Sequence, residues 1–288
     1  MDAANGMSGL TTPAVLGDEV LDALPLEIHP LYFELDGTFP NHPANPLESE
    51  NLRDLQAAVK EHGADIGLAF DGDADRCFVI DERGEPVTPS AVTALVAKRE
   101  IARARAEGEE TPVVIHNLIT SKAVPETVER EAGRAVETRV GHSFIKAVMA
   151  QEAAVFGGEH SAHYYFRDFF NADTGMLAAM HVLAALGAQE LPLSELAAEY
   201  DPTSPQGRST PRSRTRRQRR RGCWRRSRAA RSGSPTWTGS PSATPAEPGG
   251  STCAPPTLSR SCGSTVRPRI SRPWSASVMR CWRSSRER

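Results

Sequence analysis

"FDGDADRCFVID", residues 70–81, places acidic side chains and an arginine between two apolar runs. Upstream, "ADIGLAF" (64–70) reads as a short buried strand, and downstream "CFVIDERGEPVTP" (77–89) reads as a hairpin. The acidic turn therefore opens at the carboxyl end of a strand, where α/β folds place ligands. Asp71, Asp73 and Asp75 alternate, and in an extended loop next-nearest side chains point the same way. Carboxylates that converge repel one another unless a cation sits between them, and an all-oxygen set suits a hard ion such as Mg2+. The bland alternative is a solvated turn, since Asp and Gly are ordinary turn formers. A helix-loop-helix calcium site is excluded: Glu82 stands at the twelfth position from Asp71, but the sixth is Arg76 rather than glycine, and "CFVI" reads as strand. Arg76 beside a bound cation points to an anionic substrate such as a phosphate.

Outward from this turn, the chain alternates strands and helices. "LPLEIHPLYF" (24–33) has strand character and runs into a proline-rich loop, and "LESENLRDLQAAVKEHG" (47–63) has helical spacing that stops at Gly63. Beyond the hairpin come a helix (90–108), a strand (112–120), a helix (121–133), a strand (135–140), a helix (142–153) and a strand (153–158). A long apolar-faced helix (173–190) and a short one (193–200) follow. Strands alternating with helices of this length argue for an α/β fold with mainly parallel sheets. "RARAEGEE" suits a linker, which gives one domain over 1–103 and a second over 110–200.

Charge divides the chain more sharply. Residues 1–200 carry 14 Lys or Arg against 33 Asp or Glu, whereas 201–288 carry 20 Arg, no Lys and 3 acids. The net charge of -2 describes neither part. The last segment holds all four tryptophans and four of the five cysteines, is dominated by Arg, Ser, Pro and Gly, and reads as disordered. Cys223, Cys253, Cys262 and Cys281 lack compact metal-site spacing, and Cys77 stands alone, which argues against a disulfide framework. No apolar run approaches the roughly 20 residues that span a bilayer, and the start resembles no signal peptide, so the default expectation is a cytoplasmic protein without membrane partners.

A second polar cluster closes the 153–158 strand. In "FGGEHSAH", Glu159, Ser161 and His163 alternate, offering acceptors and donors for sugar hydroxyls, with Gly157 and Gly158 allowing close approach. A polar hairpin turn is the competing reading. His142 and Lys146 in "VGHSFIK" lie four apart at a helix start, where a phosphate gains backbone N–H donors as well as the lysine charge.

Together, "NGMSG" (5–9), "YFELDGTFPNHPANPLE" (32–48), "DGDADR" (71–76), "VGHSFIK" (140–146) and "GEHSAH" (158–163) resemble, in order, the α-D-phosphohexomutases, in particular their bacterial phosphomannomutase/phosphoglucomutase branch. The resemblance covers residues 3–200 and implies two phosphohexomutase-type α/β domains with mixed or mainly parallel sheets, the second and third of that family. It implies Mg2+ on Asp71, Asp73 and Asp75, catalytic roles for Arg76, His142 and Lys146, and substrate contacts from Glu159, Ser161, His163 and Lys146. The implied reaction interconverts hexose 1-phosphate and hexose 6-phosphate, with mannose or glucose as the sugar and a hexose bisphosphate intermediate. Ala162 stands where the family motif carries glycine, which adds a methyl group to the sugar loop.

The family's nucleophilic serine belongs to a string of the form T-A-S-H-N-P, which the chain does not contain. Ser8, Ser49 and Ser161 lack its surroundings, so the expectation is a chain without the first domain and with impaired turnover. The family's fourth-domain phosphate loop is also missing in literal form. Joining the last base of each codon to the first two of the next lets "GGSTCAPPTLSRSCGST" (249–265) be read as "WFNLRAPNTEPFLRLN", and similar shifts at 206–210 and 236–242 give fourth-domain-like strings. Residues 201–288 are therefore expected to be an out-of-frame remnant. The alternatives are a nonenzymatic module that binds Mg2+ and sugar phosphates, or an Arg-rich nucleic-acid-binding protein built on "RSRTRRQRRRGCWRRSR" (212–228). The out-of-frame reading disfavours specific nucleic-acid binding.

Overall fold

The computed structural model describes residues 1–17 and 24–200. The expectations of disorder and of an out-of-frame remnant concern residues 201–288, which lie outside the described residues.

The "GLAF" and "CFVI" runs form strands β1 (Gly67–Phe70) and β2 (Cys77–Ile80), buried at every position, and β3 (Pro86–Val87) completes an antiparallel sheet in the order β1-β2-β3. This sheet is the antiparallel part of the mixed or mainly parallel α/β fold expected, because a turn as short as 71–76 can join only antiparallel neighbours. Helix α1 (Ser8–Leu16) was not legible in the sequence, and the expected strand over 24–33 is irregular apart from a single bridge at Leu31. Pro25 and Pro30 each remove a ladder donor, which explains the irregularity. The chain's start takes the edge instead: the Asp2 N–H donates to the Leu68 carbonyl (2.8 Å), and the Phe70 N–H donates to the Asp2 carbonyl (3.1 Å). Helix α2 (Arg53–His62) covers this sheet with buried Leu55 and Val59 and ends at Gly63, whose φ of +60° favours a residue without a side chain.

Helix α3 (Pro89–Ala106) starts where Thr88 accepts a hydrogen bond from the Ala91 N–H (3.2 Å) with Pro89 in the first turn. It runs through the segment expected to divide two domains and touches β2. The second sheet holds β4 (Val113–Asn117), β5 (Arg134–Thr138), β6 (Phe156–Gly158), β7 (Tyr164–Phe166) and β8 (Ala172–Asp173), in the order β5-β4-β6-β7-β8. The crossovers through α4 (Ala123–Arg130) and α5 (His142–Glu152) make β5-β4-β6 parallel, and the short returns make β6-β7-β8 antiparallel. Helix α3 packs on α4 and β6 as well as on α6 (Gly175–Gly187) and α7 (Leu193–Ala198).

One core runs through both sheets, from Leu55 and Leu68 through Val92, Leu95 and Ile101 to Phe156, Phe166 and Val182. A smaller cluster, Ile115, Ile145, Met149 and Tyr165, seats α5 on the opposite face of the second sheet. Truncating Ile145 or Met149 to Ala removes a fully buried side chain, at a cost of about 2–5 kcal/mol, and loosens the helix that carries His142 and Lys146. No helix among the described residues is long and apolar enough to cross a membrane.

Candidate active site

The turn after β1 brings Asp71, Asp73 and Asp75 together: each offers a carboxylate oxygen, and these lie within 4.8 Å of one another. Ala74, at φ +64°, bends the backbone between them, and the Ala74 N–H donates to the Asp71 carbonyl (3.2 Å). Asp71 is buried and takes both the Arg76 backbone N–H (3.1 Å) and its side-chain Nε–H (2.6 Å), while Arg76 Nη1 donates to Asn45 Oδ1 (3.3 Å). Asp73 is exposed. Asp75 Oδ1 is shielded from solvent yet has no hydrogen-bond donor; Arg76 Nε lies 3.8 Å from it and His163 Nε2 3.6 Å. Burial, and after it the charge of Asp71 and its hydrogen bond, push the Asp75 carboxyl up to about 7, with Asp73 and Asp173 adding to the shift. An orphaned buried oxygen within a knot of mutual repulsion fits a bound divalent cation, which would satisfy the one and offset the other.

The "GEHSAH" turn lies directly against this loop. Arg76 and His163 form an antiparallel bridge, and the Cys77 N–H approaches the Ala162 carbonyl at 3.4 Å. Ala162 is buried at φ +67°, so the methyl group is accommodated in a left-handed turn. Ser161 Oγ and His163 Nδ1 are 2.9 Å apart, and burial is the first cause that holds the His163 imidazole below its usual range, against the opposing charges of Asp173 and Glu159. Glu159 behaves differently from its alternating partners. It is buried, and its Oε1 accepts from the Asn117 side chain (3.1 Å) and the Gly141 N–H (3.2 Å) while its Oε2 accepts from the Tyr165 hydroxyl (2.8 Å). Burial and then the Glu159 hydrogen bond raise the Tyr165 hydroxyl's pKa.

At the start of α5, His142 is exposed, with its ring centroid 6.5 Å from that of His163 in an edge-on arrangement. Lys146, one turn later, pairs with Asp173 (Nζ–Oδ1 2.8 Å) and lies over the Tyr165 ring. The structure therefore gathers Asp71, Asp75, Arg76 and His163 tightly, sets His142 and Lys146 beside them, and turns Glu159 inward. Asn45, Asn117, Tyr165 and Asp173 were not singled out in the sequence, because each reaches the site through tertiary contact alone.

Residues 1–84 match the family model described as phosphoglucomutase/phosphomannomutase, alpha/beta/alpha domain II, and residues 88–203 match that for alpha/beta/alpha domain III. The chain belongs to the phosphoglucomutase/phosphomannomutase family. It is similar to a phosphomannomutase from Vibrio cholerae, 38% identical over 197 residues that cover 68% of this chain and 42% of that protein. A protein named phosphohexose mutases, from Xanthomonas campestris pv. campestris, is 41% identical over 62% of this chain and 37% of its own. Among solved structures, a phosphoglucomutase/phosphomannomutase family protein from Burkholderia thailandensis superposes with a TM-score of 0.61 at 30% identity, over 68% of this chain and 41% of that one. The chain thus spans about two fifths of the phosphohexomutases it matches.

Proposed function

We propose that this chain supplies the metal-binding and sugar-binding part of a phosphohexomutase active site, serving phosphoryl transfer between the 1- and 6-positions of mannose or glucose phosphates. The observation that carries the reading is the backbone pairing of Arg76 with His163, which holds the carboxylate turn and the polar "GEHSAH" turn side by side. Asp71, Asp73 and Asp75 would hold Mg2+, which when bound neutralises charge on a phosphoryl group and polarises its oxygens. Arg76, braced by Asp71 and Asn45, presents its guanidinium to the same anion. Ser161 and His163 offer polar atoms to sugar hydroxyls, while Glu159 holds their turn in place through Asn117, Gly141 and Tyr165. Lys146 and the N-terminus of α5 serve a phosphate, with His142 at the mouth. A site rich in fixed donors and charges fits a reaction whose catalysis is mostly positioning and charge stabilisation.

The test is calorimetric titration of mannose 1-phosphate and glucose 1-phosphate into the chain with and without Mg2+, beside an assay of 1-phosphate to 6-phosphate conversion with a hexose bisphosphate present. Saturable binding that depends on Mg2+ and is lost in Asp73→Ala supports the reading. Absence of saturable binding of either sugar phosphate with Mg2+ present overturns it.

A further inference from the structure

Lys146 does not stand free to meet a ligand. Its ammonium group lies 2.8 Å from Asp173 Oδ1, and Asp173 is only 7% exposed at its side chain, whereas Lys146 is 41% exposed. Asp173 sits on the edge strand β8, directly opposite Tyr165 of β7, whose ring lies 5.8 Å from Lys146 Nζ. The acid and the ring together form a seat for the lysine. The next residues fix that seat against the metal loop: Thr174 caps α6, and the Gly175 N–H donates to the Ala74 carbonyl (3.1 Å). An Asp173 oxygen also falls within 4.8 Å of ligand atoms of Asp75 and His163. Setting a nearly buried carboxylate this close to Asp75 adds repulsion, which the Lys146 pair offsets.

We infer that Asp173 is a positioning residue: its carboxylate holds the Lys146 ammonium beside the sugar loop, where it meets the phosphate of a hexose phosphate. The inference rests on the functional reading above and deepens it. Two opposing effects separate positioning from simple charge. Removing a negative charge beside an anion site tightens every anion, inorganic phosphate included. Removing a positioning group weakens the shaped ligand while sparing the simple one, because an unheld lysine must be ordered again on binding.

The experiment uses the full chain, Asp173→Asn, Lys146→Met and the double variant, with Asp173→Ser as a smaller replacement giving the same comparison. Lysine acetylation by a small acylating reagent, followed by peptide mass spectrometry, reads the pair without any ligand, with Lys60, Lys98 and Lys122 as internal references. Titrations of glucose 1-phosphate and inorganic phosphate, with Mg2+ present, read binding. The expected result is faster acetylation of Lys146 in Asp173→Asn, about tenfold weaker glucose 1-phosphate binding with phosphate binding unchanged or tighter, and no further loss when Asp173→Asn is added to Lys146→Met. Unchanged acetylation, an equal loss in the Lys146→Met background, or tighter binding of both anions overturns the positioning role while leaving the functional reading standing. Faster Lys146 acetylation in Asp173→Asn together with a wild-type chain that binds no hexose phosphate overturns the functional reading, and the positioning role falls with it.

Discussion

Two turns of the site, 71–76 and 159–163, share a construction and differ in what they leave undone. Each follows a buried strand, each alternates polar side chains, and each bends at an alanine with positive φ, Ala74 at +64° and Ala162 at +67°. In the second turn the buried carboxylate, Glu159, has protein donors on both oxygens. In the first, the protein supplies Arg76 to Asp71 but leaves Asp75 Oδ1 shielded and without a donor. Fixed donors around one carboxylate make a clamp, whereas converging carboxylates with an orphaned oxygen suit the cation site proposed above.

The comparison breaks most visibly at the cation. Asp75→Asn or Asp73→Asn should lower Mg2+ affinity more than about a hundredfold, and the wild-type chain, unlike either variant, should gain about 2.7 kcal/mol of stability at a Mg2+ concentration near a hundred times its Kd. Thermal unfolding across a Mg2+ series measures both, and equal gains in all three proteins would show that the turn is only a solvated acidic loop.

The clamped turn should fail in a different way. Glu159→Gln keeps an acceptor oxygen for Asn117 and Gly141 but turns the bond to the Tyr165 hydroxyl around and removes the charge that strengthens all three, and it should cost about 2 kcal/mol in denaturant unfolding with no direct effect on Mg2+ affinity. A loss of Mg2+ binding larger than the loss of stability would mean that Glu159 contacts the cation or its ligand.

The contrast also sharpens through pH. The folded-state pKa of Asp75 is raised from 3.8 to about 7, so the metal-free protein binds a proton that the unfolded chain has already released. The corresponding stability is fully present below about pH 4 and is lost as pH rises through about 7, and Mg2+ should remove that loss by favouring the ionised carboxylate. Chemical unfolding between pH 4 and 8, with and without Mg2+, checks the sign after the opposing slopes of other carboxylates are subtracted with Asp75→Asn as reference.

The legible part of this site was the part written in contiguous residues. The strand, the turn and the alternating acids at 64–81 could be read because apolar runs and charge spacing are local properties. Alternation also implied that Glu159, Ser161 and His163 share a face, which the turn at Ala162 and the donors around Glu159 alter. Asp173 and Tyr165 were hidden because β7 and β8 are only three and two residues long, too short for any periodicity to register. Asn45 lay in a proline-rich loop, 31 positions before Arg76 along the chain, so its destination depends on how all the chain between them folds. The strand expected at 24–33 failed for a reason that the sequence did carry, its two prolines.

Gly175 bears on how the chain holds together while folding. A Cβ at that position would lie 2.5 Å from the Arg76 carbonyl oxygen and 3.0 Å from that of Ala74, so the first turn of α6 is pressed onto backbone that belongs to the other matched segment. With the core running continuously between the sheets, neither segment has a complete surface of its own, and all the described residues fall in one compact unit. The two regions that the family models divide are therefore packed into one another, so a single unfolding transition is the expected outcome, with the carboxylate turn losing its shape when the helix behind it is lost.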